Sequence, residues 1–116
     1  MVHESVHVAT SIDRPAAEVY AFVMEPTNLP QWAAGLAGGA VTREGDQLVV
    51  DSPMGRVTVR FVASNPFGVA DHDVTLPSGE VVTNPFRIVP NVDVCDALFT
   101  VRRRDGMTAA QLAADV

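Results

Sequence analysis

Alternating apolar and polar residues dominate this chain and predict a protein built mainly from β-strands. Residues 2–12 place every second side chain on one face, which is the pattern of a half-buried strand. Six further runs of this kind follow, separated by short turns, at residues 40–43, 47–52, 56–63, 69–76, 80–90 and 93–103. Runs at this spacing indicate an antiparallel meander. We therefore expect one sheet of seven antiparallel strands.

Two short helices are predicted directly after the first strand. Val19, Phe22 and Val23 have the i, i+3, i+4 spacing of an apolar helix stripe, so the first helix should bury one side. Pro26 ends this helix because proline cannot continue the backbone hydrogen bonding. The second short helix carries the single tryptophan of the chain, Trp32.

A third helix is predicted at residues 107–116, which gives a β-α-α-β6-α order and an α+β fold class. Two short helices are too small to cover one face of seven strands, so we expect the closing helix to cover the rest. A chain of 116 residues has the size of a single domain, and we expect residues 1–116 to form one.

Composition excludes several classes of function. The formal net charge of −6 disfavours nucleic acid as a partner, since nucleic-acid binding rests largely on phosphate neutralisation. No apolar stretch is long enough for a membrane span, and no signal peptide is apparent, so we expect a cytoplasmic protein. The single cysteine, Cys95, excludes an internal disulfide, and the lack of lysine excludes Schiff-base catalysis by a lysine amine.

The segment "SIDRPAAEVYAFVMEPTNLPQWAAGL", residues 11–36, resembles the opening of the START-like, Bet v 1-like superfamily, also called SRPBCC or polyketide cyclase/dehydrase proteins. The resemblance lies in a strand, a proline-started helix, and a helix in which Pro26 precedes Trp32. The segments "HDVTLPSG", "VTNPFRIVPN" and "ALFTVRRRDGMTAAQLAADV" resemble the closing strands and the start of the C-terminal helix. In the family this helix runs several turns further than residues 107–116 do.

The resemblance implies a helix-grip fold, in which a curved antiparallel sheet grips a C-terminal helix around a hydrophobic cavity. Members of this superfamily bind lipids, steroids, polyketides or hormones, and some cyclise or dehydrate them. An apolar cavity with a few placed polar groups is the usual small-molecule site. The residues that we expect to contact a ligand are Trp32, Phe61, His72, Asn84, Phe86 and Phe99.

Among these candidates, His72 has a side chain that can act both in hydrogen bonding and in acid–base catalysis. It is a lone polar residue on a strand face shared with Ala70, Val74 and Leu76, directed at the expected cavity. Burial would lower its pKa and leave a neutral imidazole that donates at one nitrogen and accepts at the other. Such a ring can orient a ligand or act as a general acid–base. The alternative is a core histidine whose hydrogen bonds go to a neighbouring backbone or hydroxyl group.

The other candidates also have purely structural interpretations. Trp32 would be a core anchor with its indole N–H bonded to the backbone. Each phenylalanine is as consistent with core packing as with ligand contact, and Cys95 is typical of a small buried hydrophobe.

No metal site and no cofactor are expected. His3 and His7 lie about 13 Å apart along a strand, which is too far to share a metal ion. Asp71 and Asp73 should point outward, where a cross-strand charge ladder with arginines on flanking strands is the simplest arrangement.

Three hypotheses for the function follow. The first is the binding of a small hydrophobic molecule, with His72 or Asn84 fixing its orientation. The second is a cyclase or dehydratase with His72 as acid–base, although the inner faces offer that ring no carboxylate partner. The third is an interaction module in which an open apolar groove receives another chain or a second copy as a homodimer.

Overall fold

The computed structural model describes residues 4–33, 40–52 and 55–102. Eight strands lie in these ranges: β1 (Ser5–Ile12), β2 (Val41–Glu44), β3 (Gln47–Ser52), β4 (Gly55–Phe61), β5 (His72–Thr75), β6 (Val81–Asn84), β7 (Phe86–Asn91) and β8 (Val94–Arg102). Between β1 and β2 come helix α1 (Ala16–Met24), a 3-10 turn (Pro26–Asn28) and the single-turn helix α2 (Leu29–Trp32). The helix predicted at residues 107–116 lies outside the described residues.

The architecture is α+β, with antiparallel strands throughout the described ranges, but the expectation of a single seven-stranded sheet is wrong. The strands form a three-stranded sheet in the order β1-β8-β7 and a five-stranded sheet in the order β2-β3-β4-β5-β6. Within the described part of the chain, no helix is both long and apolar enough to cross a membrane.

Pro85 marks the point at which the predicted strand at residues 80–90 passes from one sheet to the other. Proline has no N–H, so it cannot donate a hydrogen bond to a neighbouring strand. The β5–β6 pair ends where Asn84 faces His72, and β7 starts two residues later, with Phe86 opposite Phe99 of β8. An isolated bridge between Val69 and Arg87 continues the β5–β6 register past the interruption. The two sheets are thus joined by one continuous segment, residues 81–91, whose strand pairing changes at Pro85.

The Asp71 carboxylate binds the two residues that follow the proline. It accepts the backbone N–H of Phe86 at 2.8 Å, and it accepts both Nε and Nη2 of Arg87 at 2.9 Å. The hydrogen bond from Arg87 holds the pKa of Asp71 below its ordinary value of 3.8, against the opposing effect of burial. We call this arrangement the Asp71 clasp.

A second connection between the sheets is made by the turn at residues 64–68. Gly68 has a φ of +71°, and its carbonyl accepts the N–H of Ile88 at 2.9 Å. The Asn65 side chain bonds backbone groups of the same turn, including the N–H of Val69 at 3.1 Å. The hydroxyl of Tyr20 donates to the Val69 carbonyl at 3.1 Å, which ties the turn to α1.

Two groups of buried side chains form the core. The first lies between α1 and the three-stranded sheet, and its members are Val19, Val23, Ala70, Phe86, Ile88 and Cys95. The second lies on the five-stranded sheet beneath α2, and its members are Leu29, Leu48, Val50, Val57 and Val59. The predicted stripe of α1 is thus confirmed for its two valines, whereas Phe22 is 44% exposed. Trp32 and Phe61 pack against both groups, so these two side chains mark where the groups meet.

Candidate functional site

Five aromatic rings converge between the two sheets. They come from five different elements, α2, β4, β5, β7 and β8, and each is one of the candidates predicted from the sequence: Trp32, Phe61, His72, Phe86 and Phe99. We call these five residues the aromatic cluster. The closest pair is Phe61 and His72, whose ring centroids are 4.7 Å apart with 30° between the planes. Aromatic pairs at such distances attract each other beyond their apolar burial.

Strand register accounts for the convergence. Phe61 on β4 lies opposite His72 on β5, and His72 in turn lies opposite Asn84 on β6. Directly opposed residues of antiparallel strands share one face of the sheet, so these three side chains form a row. In the other sheet Phe86 and Phe99 are also opposed, with ring centroids 5.6 Å apart. The cluster is therefore two cross-strand rows that face each other, and the half-buried Asn84 extends one of them.

His72 is buried, with 6% of its surface exposed, and its ring has a defined tautomer. Nδ1 lies 3.0 Å from the carbonyl oxygen of Ala70. A carbonyl oxygen only accepts, so Nδ1 carries the hydrogen and the neutral ring presents a lone pair at Nε2. Burial lowers the pKa of His72 below its ordinary value of 6.5, against the opposing effects of this hydrogen bond and of Asp71 and Asp73. The predicted backbone partner exists, but it occupies only one of the two ring nitrogens.

Trp32 carries the most informative polar atom of the site. Its ring stacks on Phe86 at 5.2 Å, with 29° between the planes, and contacts Phe61 and His72 edge-on. Its Nε1 is fully buried, yet the described residues offer this atom no hydrogen-bond acceptor. The predicted bond from the indole to the backbone is therefore not found among them. A buried donor without a partner destabilises a protein by about 1–3 kcal/mol, so this N–H is suited to an acceptor from outside these residues.

Three further predictions about individual side chains can be compared with the structure. Cys95 is completely buried in the first core group, where burial raises the pKa of its thiol. Asp71 and Asp73 do face away from the cluster, but the expected ladder forms only in part. Arg87 bonds Asp71, whereas Arg60 bonds Asp46 at 2.7 Å. Within residues 4–33, 40–52 and 55–102, no group of three or more metal-binding side chains comes together.

Sequence reasoning missed the role of Asp71. Its alternation with His72 correctly places it on the outer face, but nothing in that alternation shows that it binds the backbone of Phe86. The available signal was the proline within "NPFR", because a proline inside a strand pattern marks a break in the ladder, where a backbone N–H can bond a side-chain acceptor instead.

Comparison with known proteins places this arrangement among related folds. No family model matches the sequence, and no curated protein matches it. Among solved structures, an uncharacterised protein from Bacillus thuringiensis superposes with a TM-score of 0.70 at 10% identity, over 94% of this chain and 85% of the other. The Zhui aromatase/cyclase from Streptomyces sp. R1128 gives a TM-score of 0.66 at 14% identity, over 90% and 72%.

A third similar structure is DynU16, a protein from the dynemicin biosynthetic locus. It gives a TM-score of 0.69 at 16% identity over 97% of this chain, but this chain spans only 42% of that protein. At such identities the likeness concerns the fold.

Proposed function

Because the chain has the START-like, Bet v 1-like fold that its sequence resembles, we propose that it binds a small hydrophobic or aromatic molecule at the aromatic cluster. The observation that carries the proposal is the buried Nε1–H of Trp32, which lacks an acceptor among the described residues. Packing alone is served equally well by a phenylalanine. A donor kept without a partner in an aromatic environment is instead typical of a site that awaits a ligand.

The surroundings of this donor favour a flat, apolar ligand. Phe61, Phe86 and Phe99 present ring faces and edges at the junction of the two sheets, and His72 adds a polar edge. Burial of apolar surface would supply most of the affinity, and the polar edges would fix the orientation.

Titration with N-phenylnaphthylamine, a neutral aromatic probe, should quench the fluorescence of Trp32 in a saturable manner. Trp32 is the single tryptophan of the chain, so its emission reports on the cluster alone. Replacing Phe99 with alanine should weaken probe binding about 10-fold or more, since a large part of the apolar contact is removed. The matched control is Phe67→Ala, which removes a phenylalanine that is 79% exposed and outside the cluster, and should leave the affinity unchanged. Quenching that rises linearly without saturation would count against a binding site.

A second candidate function, a cyclase or dehydratase, is favoured by the free lone pair of His72 Nε2. A neutral imidazole with a lowered pKa is already in the basic form at neutral pH and can remove a proton from carbon next to a carbonyl. The Ala70 carbonyl, which stands where many catalytic histidines have a carboxylate, orients the ring without adding charge.

This chemistry is tested by the exchange of α-hydrogens of an aromatic ketone, tetralone, in D2O, followed by NMR. Nε2 would take the α-proton, and a deuteron from solvent would replace it on the enolate carbon. Exchange above the buffer rate should disappear in His72→Gln, while binding of N-phenylnaphthylamine persists. An equal exchange rate in the wild-type protein and in His72→Gln would rule out catalysis by His72 and leave ligand binding as the proposed function.

A further inference from the structure

We propose that the aromatic cluster selects ligands that carry a hydroxyl group, whose oxygen accepts from Trp32 Nε1–H and whose hydrogen is donated to His72 Nε2. This inference rests on the proposed binding function and deepens it by assigning a chemical class to the ligand. It follows from the two polar edges of the cluster, which have opposite hydrogen-bonding roles.

The Trp32 edge can only donate. An indole nitrogen has one N–H and no lone pair available for accepting. This N–H is buried, and no acceptor for it lies in residues 4–33, 40–52 or 55–102. A ligand atom that satisfies it must therefore be an acceptor.

The His72 edge can only accept while the ring is neutral. The hydrogen on Nδ1 is committed to the Ala70 carbonyl at 3.0 Å, which leaves the lone pair on Nε2. The described residues donate no hydrogen bond to this nitrogen. A ligand atom that satisfies it must therefore be a donor.

A hydroxyl group answers both requirements, because its oxygen accepts a hydrogen bond and its hydrogen is donated. The ring centroids of Trp32 and His72 are 5.8 Å apart, with the planes at 79°. The two rings are thus direct neighbours. Two hydrogen bonds that share a central oxygen join nitrogens up to about 6 Å apart, so the proposal requires Trp32 Nε1 and His72 Nε2 to lie within that distance. A ketone or an ether has no hydrogen for His72, an ammonium group has no lone pair for Trp32, and a carboxylate would face the lone pair of Nε2.

The apolar rings of the cluster indicate which kind of hydroxyl-bearing ligand fits best. Phe86 stacks on Trp32, the ring of Phe61 is tilted by 30° against His72, and the ring centroid of Phe99 lies 6.3 Å from that of His72. A hydroxyl held between these rings is surrounded by aromatic faces and edges, which suit a flat carrier. The structure therefore favours a phenolic hydroxyl over one on a flexible alkyl chain.

The test is isothermal titration calorimetry with three ligands of nearly equal shape: naphthol, methoxynaphthalene and naphthalene. Naphthol should bind about 10-fold more tightly than naphthalene, because it makes two hydrogen bonds that naphthalene cannot make. Methoxynaphthalene keeps the acceptor for Trp32 and loses the donor for His72, so it should bind only about 3-fold more tightly than naphthalene.

Two variants test whether Trp32 and His72 cause the preference for naphthol over naphthalene. Trp32→Phe and His72→Phe each keep an aromatic ring and remove one polar edge, so each should reduce the naphthol-to-naphthalene ratio to about 3, and the double variant to about 1. Phe99→Leu is the matched control, since it should weaken naphthol and naphthalene by the same factor. Binding of naphthalene to each variant shows that the protein is folded.

The outcomes separate the two proposals. Equal binding of naphthol and naphthalene by the wild-type protein, or a ratio that both polar-edge variants leave unchanged, would overturn the hydroxyl selection and leave the binding function intact. Failure of all three ligands to bind would overturn the binding function itself.

Discussion

Replacing Gly68 with alanine should lower the free energy of unfolding by about 3 kcal/mol or more. Gly68 has a φ of +71°, a conformation that alone disfavours alanine by about 1 kcal/mol. A Cβ at this position would also collide with the backbone carbonyl oxygen of Ile88, which cannot rotate away as a side chain would. The turn would have to withdraw from β7 and give up the hydrogen bond from the Ile88 N–H. Equilibrium unfolding in urea measures the loss.

Gly45→Ala is the matched control for this prediction. Gly45 has a similar φ of +65°, but no atom lies within 4 Å of the Cβ position. Alanine there should therefore lower the stability by only about 1 kcal/mol, which is the conformational contribution alone. Equal losses in the two variants would show that the close approach between Gly68 and Ile88 contributes nothing.

Replacing Asp71 with asparagine should lower the stability by about 2–3 kcal/mol near neutral pH. The carboxylate accepts three hydrogen bonds, one from the Phe86 N–H and two from Arg87. An asparagine has one acceptor oxygen and would turn its own amide N–H groups toward the guanidinium or the backbone donor. Asp73→Asn is the control on the same strand, since that carboxylate accepts from the exposed hydroxyl of Thr83 and its loss should change the stability by about 1 kcal/mol or less.

The Asp71 clasp should also appear in the pH dependence of stability. Its pKa is lowered in the folded protein, so the unfolded chain binds more protons as the solution becomes acidic. The contribution of Asp71 is therefore fully present above its ordinary pKa of 3.8 and disappears as the pH falls through the lower folded value. The stability difference between wild type and Asp71→Asn should shrink over this range, as followed by urea unfolding at stepwise lower pH. A difference that stays constant down to the most acidic point would rule out the charge of Asp71 as its source.

Side-chain alternation predicted the strands well, because a half-buried strand must place its apolar residues on one face. It correctly placed Ala70 and His72 on the buried face and Asp73 on the exposed one. It could not show that the strand at residues 80–90 serves two sheets. Alternation continues unbroken through Pro85, although the backbone pairing changes there from β5 to β8.

The sequence could predict which aromatic residues converge at the candidate site, but it could not predict their hydrogen bonds. Phe61, His72 and Phe86 fall on inward faces of strands, and their convergence follows once the strands pair in order. The lack of a partner for Trp32 Nε1 depends on which acceptors the folded chain brings near it. The tautomer of His72 depends on how its ring turns back toward Ala70. Neither property is encoded in the spacing of residues.

Phe86, the residue directly after Pro85, connects the interior of the protein to its outer surface. Phe86 presents its ring to Trp32 on the inside, while its own N–H is held by Asp71 on the outside. If the proposed ligand displaces that ring on binding, the amide of the same residue should be disturbed as well. The nitrogen and proton NMR resonances of this amide, together with those of the Arg87 side chain, should therefore report ligand binding at the aromatic cluster without an added label.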